Sequence, residues 1–243
     1  MSLTLSVDGA RWRSHLLTTV AANPGIVPVA KGNGYGLGVG RLARRAQWLD
    51  DHEAETGTPV DVLAVGTYSE IDAAASRFSG DLLVLTPWRP FGPATGLDPS
   101  VAKRVIHTVS RLADVTALLE HDPAARYVLE QLTSMRRHGM NRRDLQEAAR
   151  LIQDERLRPP VGFAIHLPLN SASHLSEATR LINHAVASGL DVRTVYVSHL
   201  TSSELDRLRS TYPDFTIRPR IGTDLWLGDR GALKVTATVL DVH

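Results

Sequence analysis

Short apolar runs that alternate with helical stretches most strongly constrain the fold of this 243-residue chain. Eight such runs are present, at residues 27–30, 62–65, 82–85, 104–107, 127–130, 161–167, 195–197 and 216–221. Strands alternating with amphipathic helices are typical of βα units in a parallel sheet. Eight units predict a closed (β/α)8 TIM barrel, a fold that takes about 250 residues. An open doubly wound sheet is the alternative, because periodicity along the chain does not show closure.

The two ends of the chain lie outside this pattern. A helix is predicted from Asp8 to Ala22, before the first strand. Residues 234–242 alternate apolar and polar side chains with period two, and no helix follows them. We therefore expect a barrel domain over residues 1–230, and residues 231–243 as the first strand of a C-terminal β-domain that is missing or truncated.

Composition excludes several classes of function. With 27 basic and 26 acidic residues, the net charge of +1 offers no field for nucleic acid or a membrane surface. Cysteine is absent, which excludes disulfides and thiolate metal sites, and we expect no metal site. The N-terminus has no signal-peptide pattern, and no apolar run approaches the roughly 20 residues of a membrane span. A cytoplasmic protein is the expectation.

A single lysine ends the first apolar run. Lys31 follows the strand at 27–30, and a glycine stands at every second position from Gly32 to Gly40. Ligands of α/β folds lie outside the carboxyl ends of the strands, so Lys31 is well placed for chemistry. Glycines allow close approach of backbone to a ligand, and the Tyr35 hydroxyl is a candidate phosphate donor. The alternative is a flexible surface loop with a solvated lysine.

Two familiar glycine-rich motifs do not match this stretch. The dinucleotide-binding fingerprint G-x-G-x-x-G lacks its third glycine here. The phosphate loop of nucleotide hydrolases places its lysine after the glycines and next to Ser or Thr, whereas Lys31 precedes them. Neither type of nucleotide site is therefore predicted.

The stretch does resemble the cofactor-lysine motif of the alanine racemases, roughly V-x-K-A-N-A-Y-G-H-G. Residues 29–38 read V-A-K-G-N-G-Y-G-L-G, with glycines for two alanines and Leu37 for the histidine. The resemblance implies that Lys31 holds pyridoxal 5'-phosphate (PLP) as a Schiff base. It also implies that Tyr35 contacts the phosphate.

The resemblance continues in the same order along the chain. Residues 133–139, T-S-M-R-R-H-G, are similar to the family's T-G-M-x-R-x-G. This implies that Arg137, rather than its neighbour Arg136, lies near the phenolic oxygen of the cofactor and the substrate carboxylate. The strand that ends at His166 resembles the family's strand ending in a histidine beside the ring.

Further matches concern the phosphate and the pyridine ring. Residues 220–226, R-I-G-T-D-L-W, are similar to R-P-G-I-x-L-Y, which implies that Arg220 faces the pyridine nitrogen. Gly222 and Thr223 would then contact the phosphate. Ser202 stands where the family has a phosphate-binding serine, inside the capping box T-S-S-E at 201–204. The plainer interpretation of Ser202 is a helix cap.

The function implied by the resemblance is an isomerase, an alanine racemase-like enzyme acting on a small amino acid. Lys31 would be the base on one face of the substrate, and Arg137 would hold the carboxylate. In the family, a tyrosine from a C-terminal β-domain of the partner subunit supplies the second acid/base. A homodimer is compatible with this, but nothing follows His243 in the sequence, so we expect that group to be absent from this chain.

Two alternatives stay open. One is a non-catalytic PLP-binding barrel, like the single-domain PLP-homeostasis proteins, which are of similar length but lack the N-x-Y-G continuation of the lysine motif. The other is a regulatory domain that kept the barrel and lost turnover. A departure from the family is Glu130, which stands where alanine racemases often carry a carbamylated lysine. A carboxylate there could steady the arginine without modification.

Overall fold

The computed structural model describes residues 3–169 and 173–238. Eight parallel strands close into a barrel in chain order, which confirms the predicted (β/α)8 fold and rules out an open sheet. The barrel strands are β2 (Val27–Ala30), β3 (Val62–Val65), β4 (Asp81–Pro87), β5 (Val105–Val109), β6 (Arg126–Gln131), β7 (Gly162–His166), β8 (Thr194–Ser198) and β9 (Thr216–Ile221).

Helices precede, connect and follow these strands on the outside of the barrel. They are α1 (Gly9–Ala21), α2 (Val39–Asp50), α3 (Glu53–Thr56), α4 (Ile71–Ala75), α5 (Pro99–Ala102), α6 (Leu112–His121), α7 (Arg142–Asp154), α8 (His174–Ala187), α9 (Ser202–Thr211) and α10 (Thr223–Leu227). Short 3-10 helices cover Tyr68–Glu70, Gly92–Thr95 and Arg230–Ala232. None of the described helices is long and apolar enough to cross a membrane.

A two-stranded antiparallel ribbon lies outside the barrel. It pairs β1 (Leu3–Val7) with β10 (Leu233–Ala237). The strand predicted over 234–242 is thus present in its first part, while residues 239–243 lie outside the described residues. Sequence reasoning missed β1, whose exposed residues carry no burial signal of a barrel strand. The partition into two domains stays a prediction.

The alternation of side chains along the strands explains how the site is built. Val27 and Val29 of β2 point into the barrel interior, where they pack in one cluster with Val128 and Ala164. Since side chains alternate between the two faces of a strand, the residue two positions after each interior side chain again faces inward. Continued to the carboxyl ends of β2, β6 and β7, this pattern brings Lys31, Glu130 and His166 to one mouth.

Candidate active site

Two adjoining cavities open at the carboxyl end of the barrel. Their volumes are about 340 Å³ and 220 Å³. Both are lined by Lys31, Leu85, Arg137, His166 and Arg220. The larger cavity, here called the mouth cavity, is also lined by Tyr35, Gly222 and Thr223. Seven of the eight residues predicted for the site therefore converge on one opening.

The side chain of Lys31 is exposed to solvent, while the backbone beside it is fixed by hydrogen bonds. The carboxylate of Glu70 accepts hydrogen bonds from Gly32 N at 2.8 Å and from Gly66 N at 2.6 Å. Glu70 thereby ties the ends of β2 and β3 together. A Cβ at Gly66 would lie 2.9 Å from the Cβ of Lys31, so a larger residue beside the lysine would displace it.

The glycine-rich loop folds back on itself after Lys31. At Gly34, with φ of 63°, a Cβ would overlap with the backbone of Gly38, so only glycine fits that turn. Tyr35 also has a positive φ, 55°, and its hydroxyl packs directly against Gly222, where an added Cβ would overlap with it. Burial raises the pKa of Tyr35 to about 12, so its hydroxyl stays a neutral donor.

Arg220 forms the floor of the mouth. It is buried, donates from Nη2 to the Ile165 carbonyl at 2.9 Å, and its Nε has no hydrogen-bond partner among the described residues. Burial lowers the pKa of Arg220 to about 10, an effect that the charge of Glu130 opposes, so the guanidinium stays charged. Glu130 is buried too, and burial raises the pKa of its carboxyl group, against the charge of Arg220.

His166 presents a neutral imidazole to the mouth. Its Nδ1 lies 3.0 Å from the hydroxyl of Ser198, and its ring meets that of His199 edge-on at 5.2 Å. Burial, with the charges of Arg220 and Arg137, lowers the pKa of His166 to about 3. The imidazole is therefore uncharged at neutral pH and adds no further positive charge to the mouth.

The loop after β6 carries Arg137 to the mouth, where Met135 also lines the cavity. The loop is fixed at its start because Ser134 donates to the buried carboxylate of Glu177, from N at 2.5 Å and from Oγ at 2.7 Å. Thr133 Oγ1 donates to the His166 carbonyl at 2.9 Å. These hydrogen bonds fix the loop and thereby position Arg137, and none of them involves the guanidinium group of Arg137.

Ser202 lies outside the set of residues that line the mouth cavity. It is exposed at the first position of α9, where the predicted capping box between Thr201 and Glu204 is confirmed. Ser198 and His199, at the end of β8, line the cavity instead. Sequence reasoning missed both, although the rule that residues at strand ends meet at the mouth would have found them. A cofactor contact by Ser202 stays a prediction.

The charge at the mouth suits an anion. In residues 3–169 and 173–238, Lys31, Arg137 and Arg220 form no ion pair within 4.0 Å, so their charges are not neutralised by carboxylates in contact. The same residues contain no cluster of three or more His, Asp or Glu that could hold a metal ion. The cavity therefore combines an exposed amine, a buried guanidinium and neutral hydroxyl donors.

A sequence profile of the alanine racemase N-terminal domain matches residues 10–225. The chain belongs to that family. No curated protein sequence matches it. Because the matched residues run from α1 to α10, this family's domain contains the whole barrel and the residues at its mouth.

Solved structures of racemases and decarboxylases share this fold. Alanine racemase from Corynebacterium glutamicum is 18% identical, with a TM-score of 0.64 over 89% of this chain and 60% of its own. Arginine decarboxylase from Paramecium bursaria Chlorella virus is 11% identical, with a TM-score of 0.63 over 93% and 65%. Lysine decarboxylase from Selenomonas ruminantium is 13% identical, with a TM-score of 0.63 over 96% and 64%. The chain thus spans less than two thirds of each of these proteins, and the fold is shared by racemases and decarboxylases.

Proposed function

We propose that this chain is the PLP-binding barrel of an amino-acid racemase of the alanine racemase type. The observation that carries the proposal is that Lys31, Tyr35 with Gly222, and Arg220 all border one cavity at the carboxyl end of the barrel. Family membership supports the cofactor, as does SrLDC, a solved structure of the same fold that holds PLP and cadaverine.

The residues present fit the phosphate end of PLP. Tyr35 offers a hydroxyl donor, and the bare Cα of Gly222 leaves room that a side chain would fill. Thr223 adds a hydroxyl and a backbone N–H at the beginning of α10. Hydrogen bonds from neutral donors to a phosphate oxygen are charge-assisted and therefore strong. Ser198 lines the same cavity and would supplement or replace the predicted Ser202.

Lys31 is the amine that would attach the cofactor. It ends β2, borders both cavities, and is accessible to solvent, so an aldehyde can reach it. With an amino acid bound in the mouth cavity, the Lys31 Nζ would remove or return a proton on one face of the substrate. Arg137 would hold the substrate carboxylate through paired N–H donors.

By family analogy, Arg220 would favour racemisation over transamination. Bound PLP supplies an electron sink that makes the Cα–H of an amino acid acidic. By the family resemblance, Arg220 would face the pyridine nitrogen, and because a guanidinium can only donate hydrogen bonds, it would leave that nitrogen unprotonated. A weaker sink favours return of the proton to Cα. Glu130 would help to keep Arg220 in place, since its charge acts on the same guanidinium.

The second acid/base is the point on which the non-catalytic alternative depends. Among the described residues that line the mouth cavity, Tyr35 is the only tyrosine. Its hydroxyl is packed against Gly222. Among residues 3–169 and 173–238, we therefore find no tyrosine placed to donate a proton from the face opposite Lys31. We therefore expect this 243-residue chain to bind PLP and to racemise poorly by itself.

The test is a visible absorption spectrum of the purified chain before and after addition of PLP. We expect a band of lysine-bound cofactor that borohydride abolishes and that Lys31→Ala lacks. Lys103→Ala is a matched control, because Lys103 lies between α5 and β5 and does not line the mouth. A borohydride-fixed cofactor on the Lys31→Ala protein would contradict the assignment.

A second measurement addresses turnover. L- and D-alanine are incubated with the PLP-loaded chain, and the opposite enantiomer is measured by chiral chromatography. We expect slow or no interconversion. Robust racemisation would show that the barrel itself contains the second acid/base, whereas release of carbon dioxide from an amino acid would favour a decarboxylase.

A further inference from the structure

Two neighbouring arginines of the loop after β6 line different cavities. Arg137 borders the mouth cavity. Arg136, which has a φ of 51°, borders a separate cavity of about 340 Å³ on the outer side of the barrel. That cavity lies between the loop, the beginning of α7 and the middle of α8. The proposed function uses Arg137 and leaves Arg136 without a role.

The lining of the outer cavity is cationic, and we call it the outer cationic cavity. Its ten lining residues are Leu132, Thr133, Ser134, Arg136, Met140, Asn141, Arg142, Arg180, Leu181 and His184. Three guanidinium groups and one imidazole therefore surround it, and none of the ten is acidic. Such a concentration of one sign of charge in a concave site attracts anions.

These charges are largely uncompensated. In the described parts of the chain, Arg136 and Arg142 form no ion pair within 4.0 Å. Arg180 reaches Glu177 at 3.5 Å, but that carboxylate already accepts two hydrogen bonds from Ser134. By contrast Arg143, next along α7, pairs with Glu147 at 3.2 Å. Of the three arginines that line the cavity, Arg136 and Arg142 are thus left open to a ligand, and Arg180 is held only by a long contact with Glu177.

The pKa of His184 also reflects the positive charge around the outer cationic cavity. Burial, followed by the charges of Arg180 and Arg142, lowers the pKa of His184. In addition, Arg142 occupies the first turn of α7, where the helix dipole favours a negative charge. The side chain of Asn141 already accepts from Arg143 N and Asp144 N, so this helix end needs no further cap. A negative charge in the cavity would relieve repulsion among several groups at once.

We propose that the outer cationic cavity binds a small molecule with two or more anionic oxygen groups, such as phosphates or carboxylates. Guanidinium groups match both through paired N–H donors. A volume of about 340 Å³ is that of a small-ligand site. An adjoining groove along α8, lined by Thr179 and Asn183 among others, offers polar groups for the remainder of the ligand. A concave site of this size suits a small anion better than a nucleic acid duplex.

The test is isothermal titration of the PLP-loaded chain with pyrophosphate, and in a parallel arm with citrate, at constant ionic strength set by sodium chloride. PLP is added first so that phosphate contacts at the mouth are already filled. We expect one saturable site. Arg142→Ala should weaken binding about tenfold, as expected for loss of a charge-assisted hydrogen bond. Arg136→Ala should have a similar effect.

Arg143→Ala is the matched control, because it removes the same charge one residue away from the cavity. We expect its affinity to stay within about twofold of the unmodified chain, as for a screened exposed charge. Circular dichroism and thermal melting check that each variant folds. If both pyrophosphate and citrate bind, the site recognises negative charge in general. If only one of them binds, the ligand class narrows to phosphates or to carboxylates, respectively.

Three outcomes would overturn the proposal. Neither probe binds saturably to the folded chain. Arg143→Ala weakens binding as much as Arg142→Ala does, which would mean a diffuse field rather than a site. Binding is seen only before PLP is added, which would assign it to the mouth cavity.

Discussion

The two ends of the barrel differ in whether their cationic side chains form ion pairs. At the amino end, Arg126 donates to both carboxylate oxygens of Asp81 at 2.6 Å. Arg218 pairs with Asp61, and its guanidinium lies 5.7 Å from the centre of the Tyr196 ring. At this end, both arginines thus have their charge and their hydrogen bonds satisfied within the protein.

At the carboxyl end, cations are left without such partners. Lys31, Arg137 and Arg220 have no ion pair within 4.0 Å in the part of the chain that the structure describes. Ion pairs would stabilise the folded chain, so these unpaired cations are consistent with the proposed cofactor site. The comparison suggests that arginines at one end stabilise the fold, while those at the other end are kept for an anion.

The largest expected effect concerns pH at the mouth. The pKa of His166 is about 3 in the folded chain, against 6.5 for an unperturbed histidine. Between these values the unfolded chain binds the extra proton, so acidification lowers the free energy of unfolding. The full shift corresponds to about 5 kcal/mol, and solvent screening of the partly exposed ring reduces this to about 3 kcal/mol. The stabilisation is complete above about pH 6.5 and is lost as the pH falls towards 3. Urea unfolding of the wild type and of His166→Gln over this range measures the difference.

Proton NMR of the imidazole gives an independent check of His166. A pKa near the ordinary value would mean that the mouth is well hydrated and that its cations do not act on this ring. Arg137→Gln should raise the pKa of His166, because Arg137 is one of the charges that lower it.

The next effect concerns the contact between Tyr35 and Gly222. Gly222→Ala should weaken PLP binding about a hundredfold, since the new methyl group displaces the Tyr35 hydroxyl and fills the space beside it. Fluorescence or absorbance titration with PLP measures the change. Gly96→Ala is the control, because a Cβ at Gly96 would meet no atom within 4 Å. Equal affinities for the two variants would argue against a phosphate position at Gly222.

The smallest effect tests the contrast between the two ends directly. Arg126→Gln should lower the free energy of unfolding by about 1–2 kcal/mol, through loss of a part-buried bidentate pair, with no change in PLP affinity. Arg137→Gln should do the reverse: its stability should stay within about 0.5 kcal/mol, as for an exposed side chain, while binding of PLP or substrate weakens. Chemical denaturation and PLP titration of both variants give the four values.

Most of the barrel was predictable because its signal repeats. Each of the eight apolar runs coincides with a barrel strand, and the strand ending before Lys31 has the predicted bounds, Val27–Ala30. Burial on both faces makes such strands continuous apolar runs that are easy to recognise. The missed strand, Leu3–Val7, is exposed along its whole length and pairs with a segment 226 or more residues away. Pairing of that kind leaves no local pattern.

The site was predictable where a residue lies at or next to the carboxyl end of a strand. Lys31, His166 and Arg220 belong to this group. Contacts that depend on the conformation of loops were not predictable. Glu70, which ties Gly32 to Gly66, lies 38 residues beyond Gly32, and the support of Ser134 by Glu177 spans 43 residues. No pattern of spacing in the sequence predicts hydrogen bonds between residues so far apart.

The contact of Tyr35 with Gly222 has a consequence for biosynthesis. Tyr35 follows the first barrel strand and Gly222 the last, and these two strands close the barrel by pairing Val27 with Arg220. A nascent chain still missing its last barrel strand at the ribosome would thus lack one side of the phosphate site proposed above. We therefore expect PLP to stabilise only molecules in which the first and last barrel strands have already paired.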